Sequence, residues 1–349
     1  MLLPARCFIT VIALLPVPAF ACASCGCTLS TDAAAGYSSQ PGWRVNLDYS
    51  FIDQSQLRHG GSSATPDQVV NQPADPAAGG GEIERDTLNR YLSLAVAYRP
   101  NADWAFTAIV PWIARNHTTF GTQDAPFTTA QIAPDQISGV ALSGIGDIKL
   151  LASWQGLLPT HNLGLQFGLK LPTGQYGGQD VNTGAFVGHP ARFQTGPQTG
   201  SALDTSLQAG NGSTDAIVGA YWYQAVSQDF DAYANVQYQA AIMHALDRPG
   251  ADFRPGNQLG LTAGLRYEAN PTWVPQVQVN LLRKSRDQGA LADAFDSAGT
   301  VAYLSPGLTV SLKDTLQLYG FVQVPVFSRL QGYQLFPHWT ATVGVSAGF

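Results

Sequence analysis

Three cysteines within six residues are the sharpest chemical feature of this 349-residue chain. Cys22, Cys25 and Cys27 lie in the segment CASCGCTLSTD, and the fourth cysteine is Cys7. Three soft thiolates at this spacing suit Cu(I) or another thiophilic ion, whereas tetrahedral zinc would need a fourth ligand from elsewhere. Gly26 occupies the position where a c-type haem motif requires histidine, which excludes that cofactor.

Two other fates are open to the same cysteines. In an oxidising compartment Cys22 can form a disulfide with Cys25 or Cys27, which leaves one thiol for an intermolecular bond. Cys22 also follows a cleavage site directly, as the lipidated cysteine of a lipoprotein does. The cluster is therefore a candidate metal site for which a disulfide is an equal alternative, and no other cofactor is expected.

The rest of the chain carries no recognisable catalytic motif. Its six histidines show neither HxxxH nor HExxH spacing, and no GxSxG segment occurs. A net charge of −6 without any basic stretch argues against nucleic acid as a partner. We therefore expect a protein that is not an enzyme, with an outer-membrane lipase or protease as a rival interpretation.

Residues 1–21 have the pattern of a secretion signal that is removed. Arg6 precedes an apolar run over 7–15, and Ala19-Phe20-Ala21 fits a small-x-small cleavage site. The run is too short to span a bilayer as a helix. Residues 22–42 would then form a cysteine-containing periplasmic segment or a plug.

Low charge combined with alternating segments indicates a barrel in a membrane. Charged residues make up 12% of the chain, against about 25% in ordinary soluble domains. Every second residue of a transmembrane β-strand faces lipid, so such a barrel needs no long apolar run. We predict an all-β protein in which residues 43–349 form a single antiparallel up-and-down transmembrane barrel of outer-membrane type with about twelve strands. The predicted strands are 43–52, 88–99, 104–115, 145–155, 162–172, 215–226, 231–243, 257–268, 273–283, 300–312, 315–325 and 338–349.

Charged residues within these strands are candidates for the lumen, since most lie opposite the apolar face. They are Lys170, Arg266, Glu268, Asp147, Lys149 and Arg90. Such residues either form a constriction that selects solutes or pair across the lumen and stiffen the wall. The pattern alone does not choose between these two interpretations.

Connection lengths predict an orientation. Short links such as 99–103 and 227–231 alternate with long stretches at 53–87, 116–144, 173–214, 244–256, 284–299 and 326–337. Outer-membrane barrels place long loops outside the cell and short turns in the periplasm. We therefore expect a Gram-negative outer-membrane location with both termini periplasmic.

The segment 339–349 alternates strictly and closes on Phe349. A terminal aromatic after alternating apolar residues resembles the signal by which the barrel assembly machinery recognises its substrates. Phe349 is thus a candidate assembly signal. The strand that it ends should pair with the one that begins near Trp43.

Five short motifs resemble the strand and loop motifs of outer-membrane barrels catalogued as transporters of the phenol meta-degradation pathway. They are GIGDIKL (144–150), LKLPTG (169–174), GNGSTDAIVGAY (210–221), LSPGL (304–308) and FVQVPVF (321–327). The resemblance covers roughly residues 90–349 and implies an outer-membrane pore or transporter. The cysteine-rich start has no counterpart in that pattern.

We therefore expect a channel or transporter for small solutes of an aromatic or apolar kind. Its expected partners are the lipid bilayer with lipopolysaccharide, the assembly machinery, the solute and a periplasmic protein at the cysteine cluster. In a rival interpretation the barrel is a scaffold or sheath that holds a periplasmic metal or redox protein through Cys22, Cys25 and Cys27.

Overall fold

A computed structural model describes residues 41–72, 83–121 and 128–349. The predicted signal peptide and the three clustered cysteines lie outside the described residues. Within the described ranges, no helix is both long enough and apolar enough to cross a membrane.

The described chain is almost entirely β-structure. One short helix, α1 (Pro66–Asn71), lies in the first long connection. The strands are β1 (Gly42–Gln54), β2 (Gln56–Gly60), β3 (Ser62–Ser63), β4 (Ile83–Arg99), β5 (Trp104–Phe120), β6 (Ile137–Ile145), β7 (Ile148–Trp154), β8 (Leu163–Leu171), β9 (Gly177–Gln179), β10 (Phe186–Gly188), β11 (Ser213–Ala225), β12 (Phe230–His244), β13 (Gln258–Tyr267), β14 (Trp273–Lys284), β15 (Gly299–Lys313), β16 (Leu316–Phe336) and β17 (Thr340–Gly348).

Twelve antiparallel wall positions close into a barrel, with β6 and β7 sharing one position beside β5. The order around the wall is β1, β4, β5, β6/β7, β8, β11, β12, β13, β14, β15, β16 and β17. The seam pairs β1 with β17 from Arg44 opposite Gly348 to Ile52 opposite Thr340. The prediction of an up-and-down barrel of about twelve strands is confirmed.

Alternation sorts the side chains of each wall strand into two sets. On β8, Phe167 and Leu169 are exposed on the outside, whereas Gln166 and Lys170 are buried inside. On β14, Gln276, Gln278 and Asn280 are buried while the valines between them are exposed. Apolar side chains outside and polar side chains inside are the arrangement of a transmembrane barrel.

Aromatic rings band the outer surface near the short turns. Trp43 and Tyr98 pack with ring centroids 4.6 Å apart, and Phe230 and Tyr267 with centroids 5.1 Å apart. Trp273 is exposed on the same rim. Aromatic side chains at this level match the girdle by which barrels sit at the membrane interface.

Several predicted loops are partly strand. β5 runs to Phe120 and β6 begins at Ile137, so the predicted loop 116–144 is shorter than expected. The predicted loop 326–337 is wrong, because β16 continues to Phe336 and pairs there with β2. Gly332 and Gln334 gave that stretch the composition of a loop. Gln334 and Leu335 are nevertheless buried in the extended ribbon.

Connection lengths give the barrel two distinct ends. One end, the short-turn end, carries turns of two to eight residues at 100–103, 155–162, 226–229, 268–272 and 314–315. The other, the long-loop end, carries the connections 55–82, 121–136, 172–212, 245–257 and 285–298. The last connection at the long-loop end is only 337–339, which departs from the predicted alternation.

Candidate functional site: the barrel lumen

The inner wall combines polar side chains with aromatic rings. Tyr91, Tyr221, Tyr233, Tyr303, Tyr319 and Phe321 all occupy inward positions. Between them, neighbouring strands share hydrogen bonds such as Asn280 with Ser305 (2.6 Å) and Gln323 with Thr340 (3.0 Å). The lumen thus offers π-faces and polar groups side by side.

Four of these rings lie on glycines of the adjacent strand. The register places Tyr221 opposite Gly164, Tyr233 opposite Gly264, Phe321 opposite Gly307 and Tyr319 opposite Gly344. A Cβ at any of the four glycines would overlap the facing ring. The missing side chain lets each ring lie flat on the wall instead of projecting into the bore.

A cavity of about 370 Å³ opens at the short-turn end. Its lining includes Arg44, Arg99, Ser153, Tyr221 and Gln317. Two guanidinium groups, one phenol and several neutral polar groups therefore face one opening. This volume and lining suit entry of a small molecule with an aromatic or polar surface.

Lys170 ties together four parts of the wall. Its Nζ donates to Asp147 Oδ2 (2.9 Å), Asn211 Oδ1 (2.5 Å) and Ser213 Oγ (3.0 Å), and it lies 3.5 Å from Asp215 Oδ2. Asp147 in turn accepts from the backbone of Gly174 at 3.0 Å. These bonds fasten the break between β6 and β7 to β8 and β11. The ammonium is paired with two carboxylates rather than presented to the bore.

The other predicted lumen residues are spread along the wall. Lys149 lies opposite Lys170 in the β7–β8 register and faces the same side of the wall. Arg266 donates to Glu268 at 2.7 Å near the short turns, at the far end of its strand. The six candidates therefore do not form one ring.

The prediction that Arg90 faces the lumen is wrong. Its neighbour Asn89 is fully buried inside, and the exposed Leu92 shares the outward parity of Arg90. Arg90 donates to Asn116 at 3.3 Å on the outer surface. Alternation along β4 therefore fixes this guanidinium on the outer face.

The long connection 172–212 enters the barrel. Arg115, 3% exposed on the inner face of β5, donates to the backbone carbonyls of Leu207 and Gln208. The same guanidinium donates to Asn89 Oδ1 (2.5 Å) and to the Tyr91 hydroxyl (2.9 Å). A buried cation thus fastens the loop to the wall.

Apolar clusters complete this closure, which we call the cap. Val140 on β6 packs with Phe193, Leu203 and Leu207 of the connection. A second cluster joins three connections through Leu246, Ala251, Phe253, Leu291 and Ala292, with Tyr176, Val181 and Val187 against it. The long-loop end of the barrel is therefore packed like a small protein core.

The cap also buries carboxylic acids. Burial is the main cause that raises the pKa of Asp204 from 3.8 to about 7, against two opposing hydrogen bonds from Ser206. The charge of Asp287, just after β14, also raises the pKa of Asp204, and the charge of Lys284, the last residue of β14, lowers it. Because β14 is six of twelve positions from β5, residues 204–208 reach across the bore. Burial and then the charge of Asp296 raise the pKa of Asp293 well above 3.8.

The residues at the heart of this cap were missing from the sequence prediction. Arg115, His117 and Thr119 share inward parity with the buried Ile113, so extending the predicted strand past 115 would have placed them inside. Asp204 and Leu207 gave no such signal. Among the described residues, no group of three or more His, Cys, Asp or Glu could hold a metal ion.

Solved structures with a similar fold are outer-membrane barrels. The COG4313 outer membrane channel from Pseudomonas putida F1 aligns with a TM-score of 0.56 and 12% identity, covering 89% of this chain and 96% of that chain. The Ralstonia pickettii toluene transporter TbuX aligns with a TM-score of 0.43 and 12% identity, over 97% of this chain and 100% of that chain. A Pseudomonas aeruginosa FadL homologue gives a TM-score of 0.40 and 11% identity, over 96% and 99%.

The match to the Pseudomonas putida channel shows that the closed barrel is a fold of outer-membrane channels. No curated protein matches the chain. A family match covers residues 67–333, which include ten of the twelve wall positions at least in part. The expected resemblance is thereby confirmed, and the chain belongs to the family described as "Putative MetA-pathway of phenol degradation".

Proposed function

We propose that this barrel is an outer-membrane channel for small aromatic solutes. The observation that carries the proposal is the inner wall, where aromatic rings lie flat on glycines among paired polar side chains. π-Faces in a polar wall bind aromatic molecules weakly enough for them to leave again, as conduction requires. The family description and the fold of the Pseudomonas putida channel support the same conclusion.

The cap sets the resistance of this path. At the short-turn end the lumen opens through a cavity of about 370 Å³. At the other end, the mostly buried segment 202–209 lies between Arg115 and the connection after β14. A solute therefore passes only when the cap shifts or leaves gaps between its packed clusters.

The proposed orientation places the long loops outside the cell and both chain termini in the periplasm. The support is the difference in connection length between the two ends of the barrel. Ser63 lies on an exposed part of the long-loop end, and Asn101 lies in an exposed short turn. Ser63→Cys in intact cells should react with a membrane-impermeant maleimide, whereas Asn101→Cys should react only after the outer membrane is permeabilised. The reverse labelling pattern would mean that the long-loop end faces the periplasm.

Recording in planar bilayers tests conduction. Folded protein should give single-channel steps, and an aromatic carboxylate such as benzoate should interrupt the current at lower concentration than acetate does. Folding is checked by the mobility shift of heated against unheated protein in gel electrophoresis. Folded protein that gives no steps at any voltage would refute the channel.

The assembly role of Phe349 belongs to the same proposal. Its backbone pairs with Trp43 in both directions, at 3.1 and 2.8 Å, and its side chain is exposed. Removing Phe349 should lower outer-membrane levels several-fold without changing the conductance of the protein that does assemble. Phe106→Ala, at another exposed aromatic of the short-turn end, is the matched control.

A further inference from the structure

Three arginines form a basic patch on the outer surface at the long-loop end. Arg283 is the penultimate residue of β14, Arg329 lies on the extended part of β16, and Arg286 follows β14. In the register, Arg283 and Arg329 both pair with Thr300 on the strand between them. Because neighbouring strands lie about 4.8 Å apart, the two arginine Cα atoms are about 10 Å apart. Two guanidinium groups at that separation can converge on one anion.

The patch faces outward. Val301 and Ser328, the sequence neighbours of Thr300 and Arg329, are buried inside the barrel. Arg283, Arg286 and Arg329 are all exposed. Alternation along the two strands therefore directs Arg329 and Thr300 to the outer surface.

The charge of the patch is not neutralised within the described parts of the chain. Neither Arg283 nor Arg329 makes an ion pair with a described residue. The nearest outward positions on β13 to β16 carry uncharged side chains instead: Leu259, Leu281, Thr300, Ala302, Phe327 and Gln331. By contrast Arg85, exposed at the same end, is paired with Asp86 at 2.9 Å.

Arg286 is held beside this pair. Its Nε donates to Gln331 at 2.7 Å, and its guanidinium lies 5.5 Å from the centroid of the Phe295 ring. These contacts hold the exposed side chain of Arg286 beside β16. A third guanidinium is thus oriented in advance near the first two.

The position of the patch along the barrel axis indicates its ligand. Phe327, 52% exposed, lies two residues before Arg329 on the lipid-facing side of β16. The arginines therefore begin where the apolar surface ends, at the level of the lipid headgroups. Phosphate is the anion at that level, and arginine binds it in a bidentate manner.

We propose that Arg283 and Arg329, with Arg286 beside them, bind a phosphate group of the glycolipid in the outer leaflet. The proposal rests on the orientation given above, which places this end outside, and it is independent of conduction. Bound phosphate would fasten the rim of β14 to β16 to the membrane surface. The chemistry that both sources share is that of a terminal phosphate group, whether it belongs to a lipid or is free in solution.

The test compares Arg283→Gln/Arg329→Gln with wild type and with Arg85→Gln in detergent. Each protein is titrated with bisphosphorylated lipid A, with the same lipid after enzymatic dephosphorylation, and with inorganic phosphate, while native mass spectrometry counts bound ligand. We expect the double variant to bind phosphorylated lipid A about tenfold or more weakly. Arg85→Gln should bind it as wild type does, and neither change should alter binding of the dephosphorylated lipid.

Equal binding of phosphorylated lipid A by the double variant and wild type would overturn the proposal. An equal loss in Arg85→Gln would also overturn it, because general surface charge would then be the cause. Competition by inorganic phosphate in wild type alone would support a site that recognises phosphate from either source. Maleimide labelling at Ser63→Cys and bilayer currents report orientation and conduction separately, so their failure is distinguishable from loss of this site.

Discussion

The two ends of the barrel differ in whether the lumen is open. At the short-turn end the wall stops at tight turns, aromatic rings band the outside, and a cavity of about 370 Å³ leads inward. At the long-loop end five connections pack into clusters, and a buried cation and buried acids fix one of them across the bore. Polar groups inside a membrane barrel can therefore serve either to leave a path or to close one, depending on what packs on them.

The test with the largest expected effect removes the part of the cap that contacts Arg115. Replacing residues 190–209 with a short Gly-Ser linker should raise single-channel conductance by about tenfold or more, because this segment holds Leu207 and Gln208, which accept hydrogen bonds from Arg115 on the inner face of the wall. Shortening residues 61–72, which pack beside Leu57 and Ile83 instead, is the control and should change conductance little. Equal conductance in both variants would mean that the cap does not limit flow.

A smaller change cuts one attachment of the cap. Arg115→Gln loses the charged hydrogen bonds to Leu207 and Gln208, each worth about 1.5–3 kcal/mol. Hydrogen exchange at residues 203–210 should accelerate at least tenfold. Arg99→Gln removes an inward guanidinium of the short-turn end, which donates to Ala102 at 3.1 Å, and should leave that exchange unchanged. Unchanged exchange in Arg115→Gln would show that the apolar cluster alone holds the segment.

The short-turn end can be narrowed by one methyl group. Gly164→Ala would force the Tyr221 ring off the wall and into the cavity that it lines. We expect conductance to fall about two-fold and stability to drop by about 1–3 kcal/mol, as overpacking does. Gly260→Ala also adds an inward methyl, but its nearest neighbour would be 4.0 Å away, so both quantities should stay near wild type. Equal losses of conductance and stability in the two variants would show that displacement of the Tyr221 ring is not their cause.

A further difference between the two ends concerns pH. The pKa of Asp204 is about 7 in the folded cap and 3.8 when unfolded, so the folded state holds its proton more tightly. Its contribution to cap stability is full below about pH 4 and is lost as pH rises through 7, with a slope of at most about 1.4 kcal/mol per pH unit. Hydrogen exchange of the cap, corrected for intrinsic rates, should therefore rise between pH 5 and 7 in wild type and less in Asp204→Asn. Parallel profiles would remove Asp204 as the cause.

The barrel could be predicted because each wall strand repeats one simple rule. Along β8 the alternation of leucine or phenylalanine with glycine, glutamine or lysine leaves a single choice of faces. Arg90 shares its parity with Leu88, Leu92 and Leu94, so the alternation along β4 indicates an outward position that its charge alone does not. Alternation continued from Ile113 and Arg115 would likewise have extended the predicted strand 104–115 through His117.

The cap could not be predicted in this way. Phe193, Asp204 and Leu207 lie in a stretch with no period, and their burial depends on contacts with strands far away in sequence. Loop composition of this kind is typical of flexible surface segments, whereas here tertiary packing decides the outcome. Arg115 becomes an anchor only because that segment folds inward.

The seam between β1 and β17 has a consequence for the folding of the newly made chain. Ser50 and Thr342 share a hydrogen bond of 2.8 Å across 292 positions of sequence, so the wall closes only after nearly the whole chain has been made. Until then β1 presents an unpaired edge to any passing strand, including that of another copy. Chains that depend on such distant pairings fold slowly and aggregate readily. The first strand therefore stays unpaired along one edge for a long time, and during that time the chain needs a chaperone that prevents aggregation.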